Sequence, residues 1–401
     1  MVTKKRKTIS VAVVGAGMIK FGELFDQSYE DMIVGAYKAC LKSVDKGFDE
    51  AEIDAAWLGT CVGSLTRREM LSGTRLSDAL ALFSMPVTRI ENHCATGSDA
   101  VRNAAFSVAA GIYDTVLVVG VEKMRDIPSL EAMVDQTSFM QHLWWHPRGQ
   151  TPPAMFAQFG SAHMQAFGTT REHFARVAVK NHHNGKLDPY AHFQFEVTID
   201  QVLNAPMVAW PMGLLDSCPT TDGAAAVILT RPDRAKEYSH KPIYLLGTGC
   251  ATDTFYSHKK RSFTEWPTTV EASIQAYEMA GIGPKDVDLA ELHDCFTCTE
   301  LITYEDLGFC KKGEGGKWIE EGGPTIEGEI PCNTSGGLKS KGHPIGATGV
   351  AQVCEIWWQL RGEAGKRQVK NPALGLTHNL GGTGSISCVN IFGLEPRSIN
   401  F

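Results

Sequence analysis

The chain of 401 residues has no apolar run approaching the roughly 20 residues that a membrane-spanning helix needs. Its first residues, Met1-Val2-Thr3-Lys4-Lys5-Arg6-Lys7, are basic but lead into neither an apolar core nor a cleavage site, so they do not read as a secretory signal. They read as a solvated tail, and the expected location is cytoplasmic. Cysteine lacks a pattern. Eleven cysteines, an odd number without a framework, predict reduced thiols rather than a disulfide scaffold. Positive charge is in deficit: a formal net charge of −7 argues against nucleic acid as the main partner. Low-complexity segments are also missing. What remains is an ordinary globular balance of 43% hydrophobic and 21% charged residues, in a chain long enough for two large domains or one duplicated fold.

Strands and helices alternate over the first 124 residues, with strands at 9–14, 53–59, 85–90 and 115–121 and helices at 29–44, 75–83 and 98–112. Such alternation predicts an α/β fold whose central sheet is covered on both faces. Residues 125–210 break the pattern. Pro147, Pro152, Pro153, Pro189 and Pro206, many aromatics and two helices of mixed polarity (154–167 and 171–184) mark an excursion of the kind that shapes binding pockets. A strand at 224–230 follows. A second series then runs through strand 242–247, helix 270–280, strand 288–292, helix 298–307, a glycine-rich loop, helix 347–361 and strands 373–377 and 385–392. The order of elements repeats between the halves without sequence identity, so the repeat is topological.

Some motifs are set aside on their own chemistry. Gly15 and Gly17 resemble the start of a dinucleotide fingerprint, but Lys20 holds the third glycine position, and the segment reads as a strand ending in a glycine turn. Cys295 and Cys298 have CxxC spacing with no second pair at zinc-ribbon distance, and no metal site is expected. His182-His183 reads as a solvated pair near a helix end. Trp144-Trp145 and Trp357-Trp358 read as core or interface.

Chemistry concentrates in four segments at the ends of predicted strands, where sites gather in open α/β sheets. In the first, Asn92-His93-Cys94-Ala95-Thr96-Gly97, Cys94 follows a strand and opens a helix. The helix dipole and its free N–H groups favour a thiolate there; the plainer reading is a small core residue. The second is His293-Asp294-Cys295-Phe296. The third contains Gly342-His343-Pro344-Ile345-Gly346-Ala347-Thr348-Gly349, in which His343 is either the base that ionises a cysteine or a loop residue capping a backbone group. The fourth is His378-Asn379-Leu380-Gly381-Gly382, whose glycines permit close approach of backbone to a ligand and an N–H aimed at an oxyanion.

These motifs, in this order over nearly the whole chain, resemble the signatures of thiolases. More narrowly they resemble the sterol-carrier-protein-type and archaeal branch, which carries His-Asp-Cys-Phe where other thiolases have Asn-Glu-Ala-Phe. The resemblance implies a thiolase fold, two similar α/β halves layered α-β-α-β-α with an inserted loop domain. The boundaries implied are 1–124 for the first part of the N-terminal half, 125–210 for the insert, 211–240 for its completion and 241–401 for the C-terminal half. It implies an acyltransferase that cleaves a 3-oxoacyl-CoA with CoA, or runs the reverse Claisen condensation. Coenzyme A is then a substrate, and no cofactor is held permanently.

By the same resemblance, Cys94 takes the acyl group. His343 activates Cys94 and helps bind the thioester oxygen, and His293 serves the same oxyanion hole. Cys295 is the acid/base, while the backbone N–H groups of Cys94 and Gly381 form a second oxyanion hole. One departure matters: Asn379 stands where other thiolases place their acid/base cysteine, which leaves that task to Cys295. A homodimer or tetramer is implied, with a small zinc-ribbon/OB-fold protein as a further partner. Synthase-type condensing enzymes of the superfamily are disfavoured by the second thiol, retro-aldolases of the fold by the presence of Cys94, and a non-catalytic acyl-CoA-binding subunit by the intact set. Phe139, Trp144, Trp145, Phe156, Phe159 and Phe167 offer aromatic surface for a bulky acyl group. The expected substrate is an aromatic or branched 3-oxoacyl-CoA such as benzoylsuccinyl-CoA, with acetoacetyl-CoA as the alternative.

Overall fold

A computed structural model describes residues 9–62, 72–128, 131 and 151–397. The basic tail and Phe139, Trp144, Trp145 and Pro147 lie outside the described residues. The chain opens with strand β1 (Val11–Met18), helix α1 (Tyr29–Lys42), strands β2 (Ala55–Gly59) and β3 (Val87–Ile90), helix α2 (Thr96–Ala109) and strand β4 (Thr115–Glu122). The excursion supplies helices α3 (Pro152–Phe167) and α4 (Arg171–Leu187) and strand β5 (Met207–Ala209), which forms a small hairpin with β6 (Met212–Gly213) just beyond its end. Then come β7 (Gly223–Thr230), β8 (Ile243–Thr252), α5 (Pro267–Ala280), β9 (Leu289–Glu291), α6 (Thr297–Asp306), α7 (Ile345–Arg361), β10 (Leu374–Gly381) and β11 (Ile386–Gly393).

Local chemistry accounts for several of these ends. Helix α1 starts at Ser28, whose hydroxyl accepts the Asp31 N–H at 3.0 Å while the Asp31 carboxylate accepts the Ser28 N–H at 2.9 Å, a reciprocal cap. Helices α3 and α5 each place proline in the first turn, where its missing N–H costs nothing. The expectation of a glycine turn after the first strand is corrected: Gly15 and Gly17 both lie inside β1. A Cβ on Gly17 would fall 2.3 Å from the Cys40 nitrogen, so this glycine lets α1 lie directly on the strand.

Nine strands form one hydrogen-bonded order, β3-β2-β4-β7-β1-β8-β11-β10-β9. The first five and the last four are read outward from a seam where β1 pairs antiparallel with β8, Val11 opposite Leu245 and Val13 opposite Ile243. On each side of the seam an antiparallel strand comes next, β7 or β11, and parallel pairing follows further out. Helix α1 covers β1 and β7 from outside, and α5 covers β8 and β11 in the same way. Helices α2 and α7 touch each other and strands from both sides of the seam, so they form the layer between the two parts of the sheet. Their burial reflects this: Trp357 of α7 is in the core, and Trp358 stacks on Tyr190 at 4.9 Å.

The excursion packs onto α6 through α3 and α4. Phe159 stacks on the buried Trp266 at 3.9 Å, and Phe156 meets Phe296 at 5.0 Å. A buried polar seam joins α4 to the second half: Lys180 pairs with Glu300 at 2.9 Å, and Asn181 donates to the Asp294 carboxylate at 2.7 Å. The expectation for His182 is corrected. It is fully buried rather than solvated, wedged against Phe195, and only His183 faces water.

Candidate active site

The site lies where α2 and α7 begin, and glycine puts them there. A Cβ on Gly97 would sit 2.8 Å from the Gly346 carbonyl, and one on Gly349 would sit 2.1 Å from the Ser98 nitrogen. No side chain fits between these backbones, so the two helix starts cross in direct contact. The Glu122 carboxylate, at the end of β4, fastens the crossing by accepting the N–H of Cys61 and that of Gly346, each at 2.9 Å. This crossing brings the Cys94 turn next to the His343 turn.

Cys94 lies just before the Ala95 N-cap of α2, at the helix start that was expected. The residue before it, His93, has φ +51, a left-handed conformation that costs a non-glycine residue about 1 kcal/mol or more and is kept where function demands it. Its ring stacks on Phe255 at 5.5 Å. The reversal lifts the Cys94 sulfur clear of the strand direction. The N–H groups of Gly382 and of Cys94 itself both point at that sulfur and favour its anion. Burial outweighs them and pushes the thiol up to about 12, so the resting sulfur is protonated despite the helix start.

His343 ends the loop before α7 and is buried. Its Nδ1 lies 2.7 Å from the Thr348 hydroxyl, which itself donates to the Pro344 carbonyl at 3.0 Å. That hydroxyl proton is therefore committed, and the hydroxyl accepts from Nδ1–H. The free lone pair is on Nε2, which has no hydrogen-bond partner among the described residues. Burial depresses the imidazole to about 3, which keeps it neutral and able to accept a proton.

His293 follows β9. The Asn333 side chain holds the segment by accepting the Leu292 N–H at 2.7 Å, and the His293 N–H points at Nδ1 of His378, 3.4 Å away. The His293 ring stands edge-on to that of His343 at 5.1 Å, with both ring nitrogens buried and without hydrogen-bond partners among the described residues. Burial first, then the neighbouring His343 and His378, holds it well below the usual range. The Cys94 sulfur and one ring nitrogen from each of His293 and His343 all lie within 4.8 Å of one another.

Cys295 is buried and lines the same cavity as Cys94 and His343. Its sulfur lies 3.8 Å from the Thr299 hydroxyl, and burial raises it well above the ordinary thiol range. Asp294 serves the backbone instead: its carboxylate accepts the N–H groups of Leu338 and Lys339 at 2.6 and 3.1 Å. Gly381 ends β10, and a Cβ there would come 2.8 Å from the Asn92 carbonyl, so it packs backbone to backbone on the nucleophile turn. The N–H that the structure aims at the Cys94 sulfur belongs to the next residue, Gly382. Asn379 is fully buried and accepts the Ser98 hydroxyl at 2.9 Å, tied under α2.

The cavity beside Cys94 holds about 410 Å³. Met124, Pro152, Phe156, Leu214 and Phe296 give it apolar walls. Of the described aromatics expected to shape a pocket, Phe156 lines it. Phe159 is instead packed on Trp266, and Phe167 lies against His163 at 4.8 Å. Cys218, Thr348 and His378 carry geometry at the site that sequence reasoning missed.

Family models match nearly the whole described chain: "Thiolase, N-terminal domain" over residues 11–233 and "Thiolase C-terminal domain-like" over residues 249–394. The chain belongs to the thiolase family. This is a family of acyltransferases, and among its members an "Acetyl-CoA acetyltransferase" of Methanothermobacter thermautotrophicus is 44% identical over 386 residues, 95% of this chain and 99% of that protein. "Sterol carrier protein 2" of Bos taurus is 38% identical over 94% of this chain and 71% of its own length. Among solved structures, one described as "Ltp2-ChsH2(DUF35) aldolase" has a TM-score of 0.85 at 25% identity, covering 97% of this chain and 99% of that one. The thiolase fold and the archaeal and sterol-carrier resemblance are therefore properties of this chain.

Proposed function

We propose that this thiolase carries an acyl group on Cys94 between two coenzyme A thioesters, cleaving a 3-oxoacyl-CoA or forming one. The observation that carries the reading is the convergence of the Cys94 sulfur and the two histidine nitrogens within 4.8 Å, at the edge of an apolar cavity that Cys295 also lines. In this reading His343 Nε2 takes the thiol proton as Cys94 attacks the ketone carbon. His343 and His293 then face the thioester oxygen, and Cys295 protonates the departing carbanion. The N–H groups of Cys94 and Gly381 are the proposed second donor pair, with the Gly382 N–H beside them at the sulfur. Burial that keeps sulfur and imidazole neutral at rest suits a site whose charge appears only with substrate. CoA enters as substrate, and no resident cofactor or metal has a part.

For the acyl group, the size and apolar walls of the cavity support a bulky or aromatic chain, as in benzoylsuccinyl-CoA. Acetoacetyl-CoA is the second reading, supported by the names of the archaeal relatives. An aldolase role like that of the solved neighbour is disfavoured by the intact cysteine and its two histidines. That neighbour is a two-component assembly, which supports a small partner protein for this chain too, beside a homodimer or tetramer. The division at 1–124, 125–210, 211–240 and 241–401 belongs to the proposal, as does cytoplasmic location, supported by eleven free thiols. No described helix is long and apolar enough to cross a membrane.

Mass spectrometry after mixing with acyl-CoA tests the reading. The expected result is an acyl adduct on Cys94, absent from Cys94→Ala, with Cys295→Ala still labelled but unable to turn over. CoA-dependent cleavage of benzoylsuccinyl-CoA and acetoacetyl-CoA, compared on the same protein, tests the acyl group. Equal rates would remove the bulky-acyl reading.

A further inference from the structure

Three thiols line the apolar cavity, and the reaction as proposed uses two. The third is Cys218. Ser217 forms an antiparallel bridge with Phe296, and the Cys218 N–H donates to the Cys295 carbonyl at 2.9 Å. These contacts set Cys218 opposite Cys295. Opposite residues in an antiparallel pair present their side chains to the same face, with Cα atoms about 4.5–5.5 Å apart. Here that face is the cavity wall, where Cys94 and His343 also stand.

Lys339 is a buried lysine whose charge acts on the Cys218 thiol. Its amine is 3.3 Å from Nε2 of His182. Nδ1 of His182 sits 3.1 Å from the Phe195 carbonyl, which can only accept, so Nδ1 carries the ring proton and Nε2 receives the bond from Lys339. A neutral imidazole orients the ammonium without cancelling its charge. The acidic groups that act on that charge are Cys218 first, then Asp216 and Asp294. Cys295 differs. The groups that act on it most, after burial, are Cys218 and Cys94, which raise it further, and the Thr299 hydroxyl, which lowers it. Burial raises both thiols, Cys218 to about 12; the Asp294 carboxylate adds to the rise at Cys218, and Lys339 opposes it.

We propose that Cys218 is a further catalytic thiol that shares the acid/base proton with Cys295, and that Lys339, oriented by His182, is the positioning residue that stabilises the thiolate formed between the half-reactions. The proposal rests on the acyl-transfer reading above. In the first half-reaction the Cys94 proton passes to His343 Nε2 and the sulfur bonds the ketone carbon. The carbon–carbon bond then breaks, and its electron pair takes a proton from the thiol pair. The departing thioester leaves the pair with one proton and one negative charge. In the second half-reaction the CoA thiol gives its proton to the pair and its sulfur bonds the acyl carbon. The Cys94 sulfur leaves and recovers its proton from His343.

The test compares Cys218→Ala, Cys218→Ser, Cys295→Ala and Lys339→Met, each with a melting temperature to establish folding. Cys218→Ala is expected to slow both the acylation of Cys94 by a 3-oxoacyl-CoA and turnover about tenfold to a hundredfold, since the pair supplies the proton in the first half-reaction. In Lys339→Met the pH of half-maximal turnover should move up, because the thiolate loses its counter-charge, and Lys339→Arg should bring it back. The titratable groups facing this pair are Cys94, Cys295, Asp216, Asp294 and His182, with Arg171 acting on Asp216. Turnover of Cys218→Ala or Cys218→Ser within twofold of wild type, with an unmoved pH profile while Cys295→Ala is inactive, overturns the proposal and leaves the acyl-transfer reading standing. Absence of any acyl adduct on wild-type Cys94 overturns the reading itself. Should Lys339→Met fail to fold, the Cys218→Ser rate and pH profile decide.

Discussion

His343 has two nitrogens, and a threonine hydroxyl decides which one works. Because the Thr348 hydroxyl donates to the Pro344 carbonyl, it can only accept from Nδ1, and Nε2 keeps its lone pair toward Cys94. Without that acceptor, the neutral ring is free to move its proton to Nε2, where it cannot take one from sulfur. Thr348→Val is nearly isosteric and removes only this instruction. The expected outcome is an acylation rate of Cys94 lower by about tenfold or more, in a protein of near wild-type melting temperature. Rapid-quench mass spectrometry of the acyl adduct measures it; an unchanged rate would mean that the tautomer is set by something else. The nucleophile and base were legible at this scale because motif and chain order carry them. Thr348 was inside the quoted motif, yet its role depends on a carbonyl four residues back in a turn whose shape the letters do not state. Cys218 and Lys339 were illegible for another reason. Their meaning comes from residues 77 or more positions away, brought together by the Ser217–Phe296 bridge and the α4 packing.

At the scale of elements, strand and helix positions were legible because apolar periodicity fixes them locally. Helix 98–112 was expected and Thr96–Ala109 is observed; strand 224–230 was expected and Gly223–Thr230 is observed. Less legible was why the motif helices are rich in glycine. Gly15 and Gly17 looked like a turn because the sequence shows flexibility, whereas the structure uses them for closeness, with α1 pressed on β1. The same holds for α2 against α7. Adding one methyl at Gly349 places it 2.1 Å from the Ser98 nitrogen and 2.3 Å from the Asn379 side-chain oxygen, neither of which has room to retreat. Gly349→Ala is therefore expected to cost about 1–3 kcal/mol of stability or more by overpacking. It should also slow Cys94 acylation, since the strain falls on the crossing that aligns sulfur with His343. Urea unfolding followed alongside acylation checks this. Loss of stability with a normal acylation rate would show that the crossing holds the fold but does not set the site geometry.

At the scale of the whole molecule, the sheet fixes the reacting atoms and the excursion decides what reaches them. Cys94, His293 and His343 each stand at the end of a strand or the start of a central helix, positions that the layered core holds rigid. The walls of the cavity come largely from elsewhere: Phe156 from α3, and Val208 and Leu214 from the hairpin region that follows α4. Val208 and Leu214 are also exposed, which locates the cavity mouth at that hairpin. A rigid catalytic layer under a separately built wall means that acyl selectivity can be altered without touching the chemistry. Leu214 is the cleanest position to try, since at 56% exposure its truncation removes little buried area and is expected to change stability by no more than about 0.5 kcal/mol. If a bulky acyl chain rests on this wall, Leu214→Ala forfeits apolar contact worth roughly 1 kcal/mol, a three- to tenfold rise in KM. The rise should appear for benzoylsuccinyl-CoA, whose aromatic group reaches the wall, and not for acetoacetyl-CoA, whose methyl ends near Cys94. Steady-state kinetics on the two thioesters distinguish the cases. An equal change for both would place the acyl chain away from the hairpin and leave this wall to the pantetheine arm instead.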